Sequence, residues 1–330
     1  MDTMVIPILL IVVGCGALFY GAEWVVGGAA RLAASFGVTP LVIGLTLVAF
    51  GTSAPELLVS LLAAVGGSSD IALGNVVGSN IANVGLILGA TGLIFPIVVQ
   101  SRLMRRELPI MLALSFLTLF LAWNLEIGRL DGLILVTLLI AFNSYMLWAA
   151  RAAEAEGDEV AVAEFTEYQE LQHLKEEEQE SIVNRPRELA RTLVGIVILM
   201  IGAQLLVENA TTIARSVGIS EVVIGMTLVA FGTSLPELAT SVVAAYRKED
   251  DISIGNVIGS NIYNLLAVLG ITSMVQPISL DQSVLTREFP VMLAFSVALW
   301  FFGRSGHITR WEGALLLLCY IAFIGWLFVG

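Results

Sequence analysis

A chain of 330 residues with 57% hydrophobic and 13% charged side chains carries about half the charge that a soluble domain uses to cover itself. A mean hydropathy of +0.90 excludes a water-soluble fold, and nothing in the composition points to a nucleic-acid partner. The formal net charge of −12 is mostly local, because residues 150 to 188 place twelve acidic side chains against four basic ones.

Six runs are nearly free of charge: Met4 to Phe19, Leu108 to Trp123, Leu133 to Trp148, Leu193 to Val207, Pro290 to Phe302 and Ala314 to Gly330. Each approaches or reaches the roughly 20 residues a helix needs to cross about 30 Å of hydrocarbon. The first reads as a span and not as a cleaved leader, since no Lys or Arg precedes Arg31. Cys15 and Cys319 fall in apolar runs and are expected to be buried small hydrophobes, neither a disulfide nor a metal site.

The second half of the chain repeats the first. GLTLVAFGTSAPELLVSLLAA from Gly44 matches GMTLVAFGTSLPELATSVVAA from Gly225, and IALGNVVGSNIANVGLILG from Ile71 matches ISIGNVIGSNIYNLLAVLG from Ile252, both at an offset of 181. The same offset pairs Gly21 with Gly202 and continues to Arg129 against Arg310. The expected fold is an all-α polytopic membrane protein of ten transmembrane helices, built as two inverted five-helix repeats. The first repeat covers 1–149, with spans near 4–24, 39–65, 71–97, 108–124 and 132–149. An acidic linker covers 150–189, and the second repeat covers 190–330, with spans near 190–211, 221–246, 252–277, 290–303 and 313–329. Five spans per half force the second half to enter from the opposite side, the plan of many secondary transporters.

With both termini outside, thirteen of the sixteen basic residues lie on the cytoplasmic face, leaving Arg129, Arg215 and Arg287 outside. The linker is then cytoplasmic, and Phe165, Tyr168, Leu171 and Leu174 suggest an amphipathic helix within it. Its acids lack EF-hand spacing, so it reads first as a solvated connector.

Glu56 and Glu237 lie deep in the second and seventh expected spans, where a charge costs at least about 2.5 kcal/mol. No Lys, Arg or His is expected at that depth, which leaves a mobile cation as the natural partner. In Gly51-Thr52-Ser53-Ala54-Pro55-Glu56, the spacing predicts Thr52, Ser53 and Glu56 on one helical face, with a kink at Pro55. Gly232-Thr233-Ser234-Leu235-Pro236-Glu237 repeats the device. The third and eighth spans carry polar stripes, Asn75, Ser79, Asn83 and Asn256, Ser260, Asn264, in otherwise apolar helices. Glycines at 74, 78, 85 and 89 are expected to permit close helix approach. Hydroxyls, amides, carbonyls and carboxylates without nitrogen or sulfur donors suit hard cations such as calcium or sodium.

GTSAPE with GNVVGSNIAN, and GTSLPE with GNVIGSNIYN, resemble the two alpha-repeats of the sodium/calcium exchanger family, at 44–89 and 225–270 here. The resemblance implies a secondary active antiporter, not an enzyme, with Na⁺ and Ca²⁺ as substrates and no cofactor. It implies calcium on Glu56, Glu237, Thr52 and Thr233. It implies sodium on Ser53, Ser79, Ser234, Ser260 and the carbonyls of Ala49 and Ala230, sharing the glutamates, with Asn83 and Asn264 completing a central site. Some members carry aspartate where this chain has Asn83 or Asn264, which leaves the coupling ratio and potassium use open. Proton-coupled divalent exchange on the same scaffold and a cation channel stand as alternatives. No P-loop, HExxH or nucleophile–base pair argues for an enzyme or ATP-driven pump.

Overall fold

The structure is a computed structural model that describes residues 2–156, 184–216 and 230–329. The expected helix around 165–174, most of the linker, and residues 221–229 of the seventh span lie outside these. The helices are α1 (Asp2–Phe36), α2 (Pro40–Thr52), α3 (Ala54–Val65), α4 (Ser69–Ile94), α5 (Ser101–Asn124) and α6 (Arg129–Glu156) in the first half. The second half holds α7 (Arg185–Ser216), α8 (Ala230–Gly232), α9 (Leu235–Tyr246), α10 (Asp250–Val275), α11 (Val284–Gly303) and α12 (Arg310–Val329). Among the described residues, eight helices are long and apolar enough to cross a membrane, and the bent pair α2–α3 makes a ninth span. α8 and α9 are the described part of the expected seventh span.

The long-range order follows the sequence repeat. β1 (Ile97–Val98) pairs antiparallel with β4 (His307–Ile308), and β2 (Glu126–Ile127) pairs antiparallel with β3 (Ile278–Ser279). Ile97 opposes Ile308 and Ile127 opposes Ile278, so the offset that equates the halves converts one pair into the other. Helix contacts exchange in the same way. A Cβ on Gly89 of α4 would come within 2.8 Å of Leu317 N on α12, and one on Gly270 of α10 within 3.0 Å of Leu135 Cβ on α6. Apolar contact without backbone separation is what small residues provide between membrane helices.

α4 and α10 lie at the centre, with α10 almost wholly buried, and the remaining spans surround them. Large apolar side chains such as Phe120, Trp148 and Leu318 point outward, as they must where the surrounding solvent is hydrocarbon. Cys15 and Cys319 also sit on this outer surface, which corrects the expected burial. An apolar run in a membrane protein has a lipid-facing side as well as a packed one. The expectation for the glycines holds for Gly85, which abuts Phe295 and Tyr320, and for Gly89. At Gly74 and Gly78 a Cβ would meet nothing within 4 Å among the described residues, so the expected close approach is not seen there.

α1 and α7 form a closely packed pair. A Cβ on Gly14 would lie 2.9 Å from the Gly202 carbonyl oxygen, and one on Gly195 the same distance from that of Gly21. α1 extends beyond the expected 4–24 because its polar residues find partners: Arg31 reaches Glu188 of α7 at 2.8 Å, and Glu23 reaches Arg247. The pair packs along α9 through Leu18, Ala22, Val25 and Val26. α3, the repeat equivalent of α9, is far less covered: Val243 is 5% exposed and its counterpart Leu62 is 63% exposed. α1 and α7 thus cover α9, here called the sealed side of the scaffold, and leave α3 uncovered, here called the open side.

Candidate ion-binding site

The site begins with two interrupted helices. α2 and α3 meet at a bend of 41° at Ser53, whose φ of −80° and ψ of 4° leave the helical region. Ser234 does the same, at φ −88° and ψ 5°, between α8 and α9. Pro55 and Pro236 stand at the first turn of the helix that follows, a position where the missing N–H is no loss. Each proline therefore starts a new helix instead of kinking a continuous one. Glu56 and Glu237 consequently occupy first turns, where the positive end of the helix dipole favours a carboxylate.

The break also changes which hydroxyls serve which carboxylate. Thr52, Ser53 and Glu56 do not share one helical face. Ser53 Oγ donates instead across the repeat boundary to Glu237 Oε1 at 3.4 Å, and Ser234 Oγ donates to Glu56 Oε1 at 3.3 Å. Thr233 and Ser79 hydroxyls also reach Glu56, and the Thr52 hydroxyl reaches Glu237. Each carboxylate is therefore surrounded largely by the other half's hydroxyls.

The amide stripes brace the breaks from behind. Asn75 Nδ2 donates to the Glu56 carbonyl at 3.1 Å and to Ser60 Oγ at 2.9 Å. Asn256 Nδ2 repeats this with the Glu237 carbonyl at 3.4 Å and Ser241 Oγ at 3.1 Å. Thr52 Oγ1 donates to Asn256 Oδ1 at 3.1 Å and lies 3.4 Å from Ser260 Oγ, while Thr233 Oγ1 donates to Asn75 Oδ1 at 3.4 Å. Asn83 Nδ2 donates to Asn261 Oδ1 at 3.0 Å. A π-helical turn begins at each central asparagine, Asn83–Leu88 and Asn264–Val268. Such turns widen the helix and recur at functional positions.

Several buried atoms are left over. Among the described residues, Glu56 Oε2, Glu237 Oε2, Asn83 Oδ1 and both side-chain atoms of Asn264 have no hydrogen-bond partner. Glu56, Glu237, Asn83 and Asn264 are all at most 1% exposed. Among the described residues neither carboxylate forms an ion pair with Lys, Arg or His. No cluster of three or more His, Cys, Asp and Glu forms among them either. A buried anion without a partner is costly, so two of them with free oxygens fit a cation that comes and goes. The converging donors are oxygen: Ser53 and Ser234 reach the two glutamates, Ser260 lies beside Thr52, and Ser79 and Ala49 are buried. Ala230 opens α8, in the place equivalent to Ala49.

Sequence reasoning missed Asn261 and Ser241. Asn261 and its equivalent Asn80 were visible in the repeated GSN motif, but they sit off the i, i+4, i+8 stripe that drew attention. Ser241 and Ser60 look like ordinary helix residues until Asn256 and Asn75 are seen bonded to them. Glu107 lies 3.9 Å from Arg102, while its repeat equivalent Glu288 lies 2.7 Å from Arg287.

Comparison with known proteins agrees with this architecture. The profile of the family described as "Sodium/calcium exchanger protein" matches residues 6–148 and 188–329. The chain is 36% identical to the putative antiporter CaxA of Alkalimonas amylolytica, covering 97% of this chain and 98% of that one. It is 37% identical to the sodium/calcium exchanger MaX1 of Methanosarcina acetivorans, covering 97% of this chain and 98% of that one. The solved structure of the sodium-calcium exchanger NCX_Mj superposes with a TM-score of 0.81 at 31% identity, covering 98% of each chain. The fold and the paired acidic breaks define an integral membrane antiporter and not an enzyme. The chain belongs to the sodium/calcium exchanger family.

Proposed function

We propose that this protein exchanges sodium for calcium across a cell membrane by alternating access, in the direction of calcium extrusion. The observation that carries the reading is the crosswise pair of buried carboxylates, each with one bonded oxygen and, among the described residues, one free oxygen and no basic partner. Their combined charge of −2 is matched by one Ca²⁺ and replaceable by several Na⁺. Either load lowers the cost of moving the site past an apolar barrier, and an empty site stays locked.

In this reading Glu56, Glu237, Thr52 and Thr233 hold calcium. Sodium uses Ser53, Ser79, Ser234, Ser260 and the Ala49 and Ala230 carbonyls with the shared glutamates, and Asn83 and Asn264 complete the centre. The halves 1–149 and 190–330 are two oppositely oriented five-span units, and 150–189 joins them in the cytoplasm. Both termini face outward. The α1–α7 pair is the gate, covering the site at α9 in one state and at α3 in the other. Exchange of unequal charge is driven by about 2.3 kcal/mol per charge per 100 mV.

The test uses purified protein in liposomes loaded with sodium and diluted into sodium-free calcium buffer. Calcium uptake that scales with the sodium gradient is expected. Uptake that ignores sodium and follows a pH gradient would assign proton coupling instead. Calcium flux that needs no counter-ion would assign a channel.

A further inference from the structure

One half of the site carries a buttress whose residues the repeat does not reproduce. The Tyr263 hydroxyl donates to Asn143 Oδ1 at 2.6 Å, linking α10 to α6 inside the membrane. Asn143 is itself fixed, because its Nδ2 donates to the Leu139 carbonyl at 3.0 Å one turn earlier. The Tyr263 ring is 4% exposed and packs with Ala49 and Ala267 as one buried group, flanked by Leu139 and Ile271. It also meets the Phe50 ring at a centroid distance of 5.8 Å. Gly259, one turn before Tyr263, lets α10 lie directly on α2 at this level, since a Cβ there would come within 2.8 Å of the Leu45 carbonyl.

Ala49 and Phe50 immediately precede the Gly51-Thr52-Ser53 break, and the Ala49 carbonyl accepts from Ser53 N at 3.0 Å. On the other side, Tyr263 is the peptide neighbour of Asn264, where the π-helical turn starts. One anchored ring therefore touches the end of α2 and adjoins the centre of α10. The repeat provides an internal control. The offset of 181 places Ala82 where Tyr263 stands and Ile324 where Asn143 stands, so this bond has no counterpart in the other half.

We propose that Asn143 and Tyr263 are positioning residues for sodium. Their bond fixes the Ala49 carbonyl and the adjoining break, and it makes the Ala49 side of the site tighter for sodium than the Ala230 side. Calcium, held by the two carboxylates, depends on it little. The inference rests on the proposed role of the Ala49 carbonyl.

The test is sodium-driven calcium uptake by wild type, Tyr263→Phe, Asn143→Leu and the double variant in liposomes, with melting temperatures of all four in detergent. Tyr263→Phe is expected to raise the half-maximal sodium concentration about 3- to 10-fold, the size set by one buried hydrogen bond, while the calcium constant stays within about twofold. Asn143→Leu is expected to match it, and the double variant to be no worse than either single one. Equal losses for both ions, or a lower melting temperature with unchanged constants, would overturn the inference and make the bond a simple brace. Should wild type itself ignore sodium, the sodium reading falls and takes this inference with it. A sodium-responsive wild type whose variants keep its sodium constant overturns the inference alone.

Discussion

Arg247 Nε donates to Glu23 Oε1 at 2.7 Å, tying the end of α9 to the α1–α7 pair on the sealed side of the scaffold. The equivalent positions on the open side are Gly66 and Gln204, and Gln204 is bonded to Glu208 of its own helix. A duplicated protein thus carries this ion pair on one side. In the proposed alternating-access cycle it would favour the state in which α1 and α7 cover α9.

Glu23→Gln is therefore expected to shift the population toward the state open at α9. A partly exposed pair contributes roughly 0.2–1 kcal/mol, which changes a two-state ratio by up to about fivefold. Spin-label distances between α1 and α9 check this, and the charge-swapped Glu23→Arg/Arg247→Glu protein is expected to recover the wild-type distribution. An unchanged distribution in Glu23→Gln would remove the pair from the conformational balance.

Glu56→Gln and Glu237→Gln are each expected to abolish exchange while leaving a folded protein. Each removes half of the charge that neutralises calcium, and the amide keeps the shape and the bonds from the facing serine. Uptake assays together with size-exclusion profiles in detergent separate loss of function from loss of fold. Normal exchange by either variant would exclude that residue from the mechanism.

The crossed bonding makes a sharper prediction. Ser53→Ala is expected to weaken calcium binding about 3- to 10-fold through Glu237. In a double-mutant cycle, Ser53 should couple to Glu237→Asp and not to Glu56→Asp, and Ser234 should show the reverse preference. Calorimetric calcium titration of the single and double variants measures both couplings. Coupling within each half would contradict the structure.

The central asparagines should also respond differently to the same change. Asn83 donates to Asn261 Oδ1, so Asn83→Asp sets a carboxylate against a carbonyl oxygen inside the membrane. A loss of about 1–3 kcal/mol in stability is expected, read as a lower melting temperature in calcium-free detergent. Asn264 has no such bond among the described residues, and Asn264→Asp should melt closer to wild type and gain more from added calcium.

Much of this architecture was legible because the chain was written twice. The offset of 181 gave the spans, the equivalence of Glu56 with Glu237, and the oxygen-only donor set. What pattern reading could not supply was direction. Helical spacing puts Ser53 beside Glu56, but Pro55 at the start of a new helix turns Ser53 toward Glu237. The Tyr263–Asn143 bond joins residues 120 positions apart and breaks the repeat, so comparing the halves pointed away from it. The lipid-facing position of Cys15 follows from which side of α1 meets α7, a packing fact absent from composition.

The reciprocal strand pairs have a mechanical consequence. They fall in the connections flanking α5 and α11, so α4, α5, α6, α10, α11 and α12 are stitched together at both membrane surfaces. Among the described residues α1 and α7 carry no strand, and their own glycine-lined contact keeps them joined to each other. In the proposed exchange the six stitched helices would serve as a chassis, and travel of the α1–α7 pair would leave both strand pairs intact.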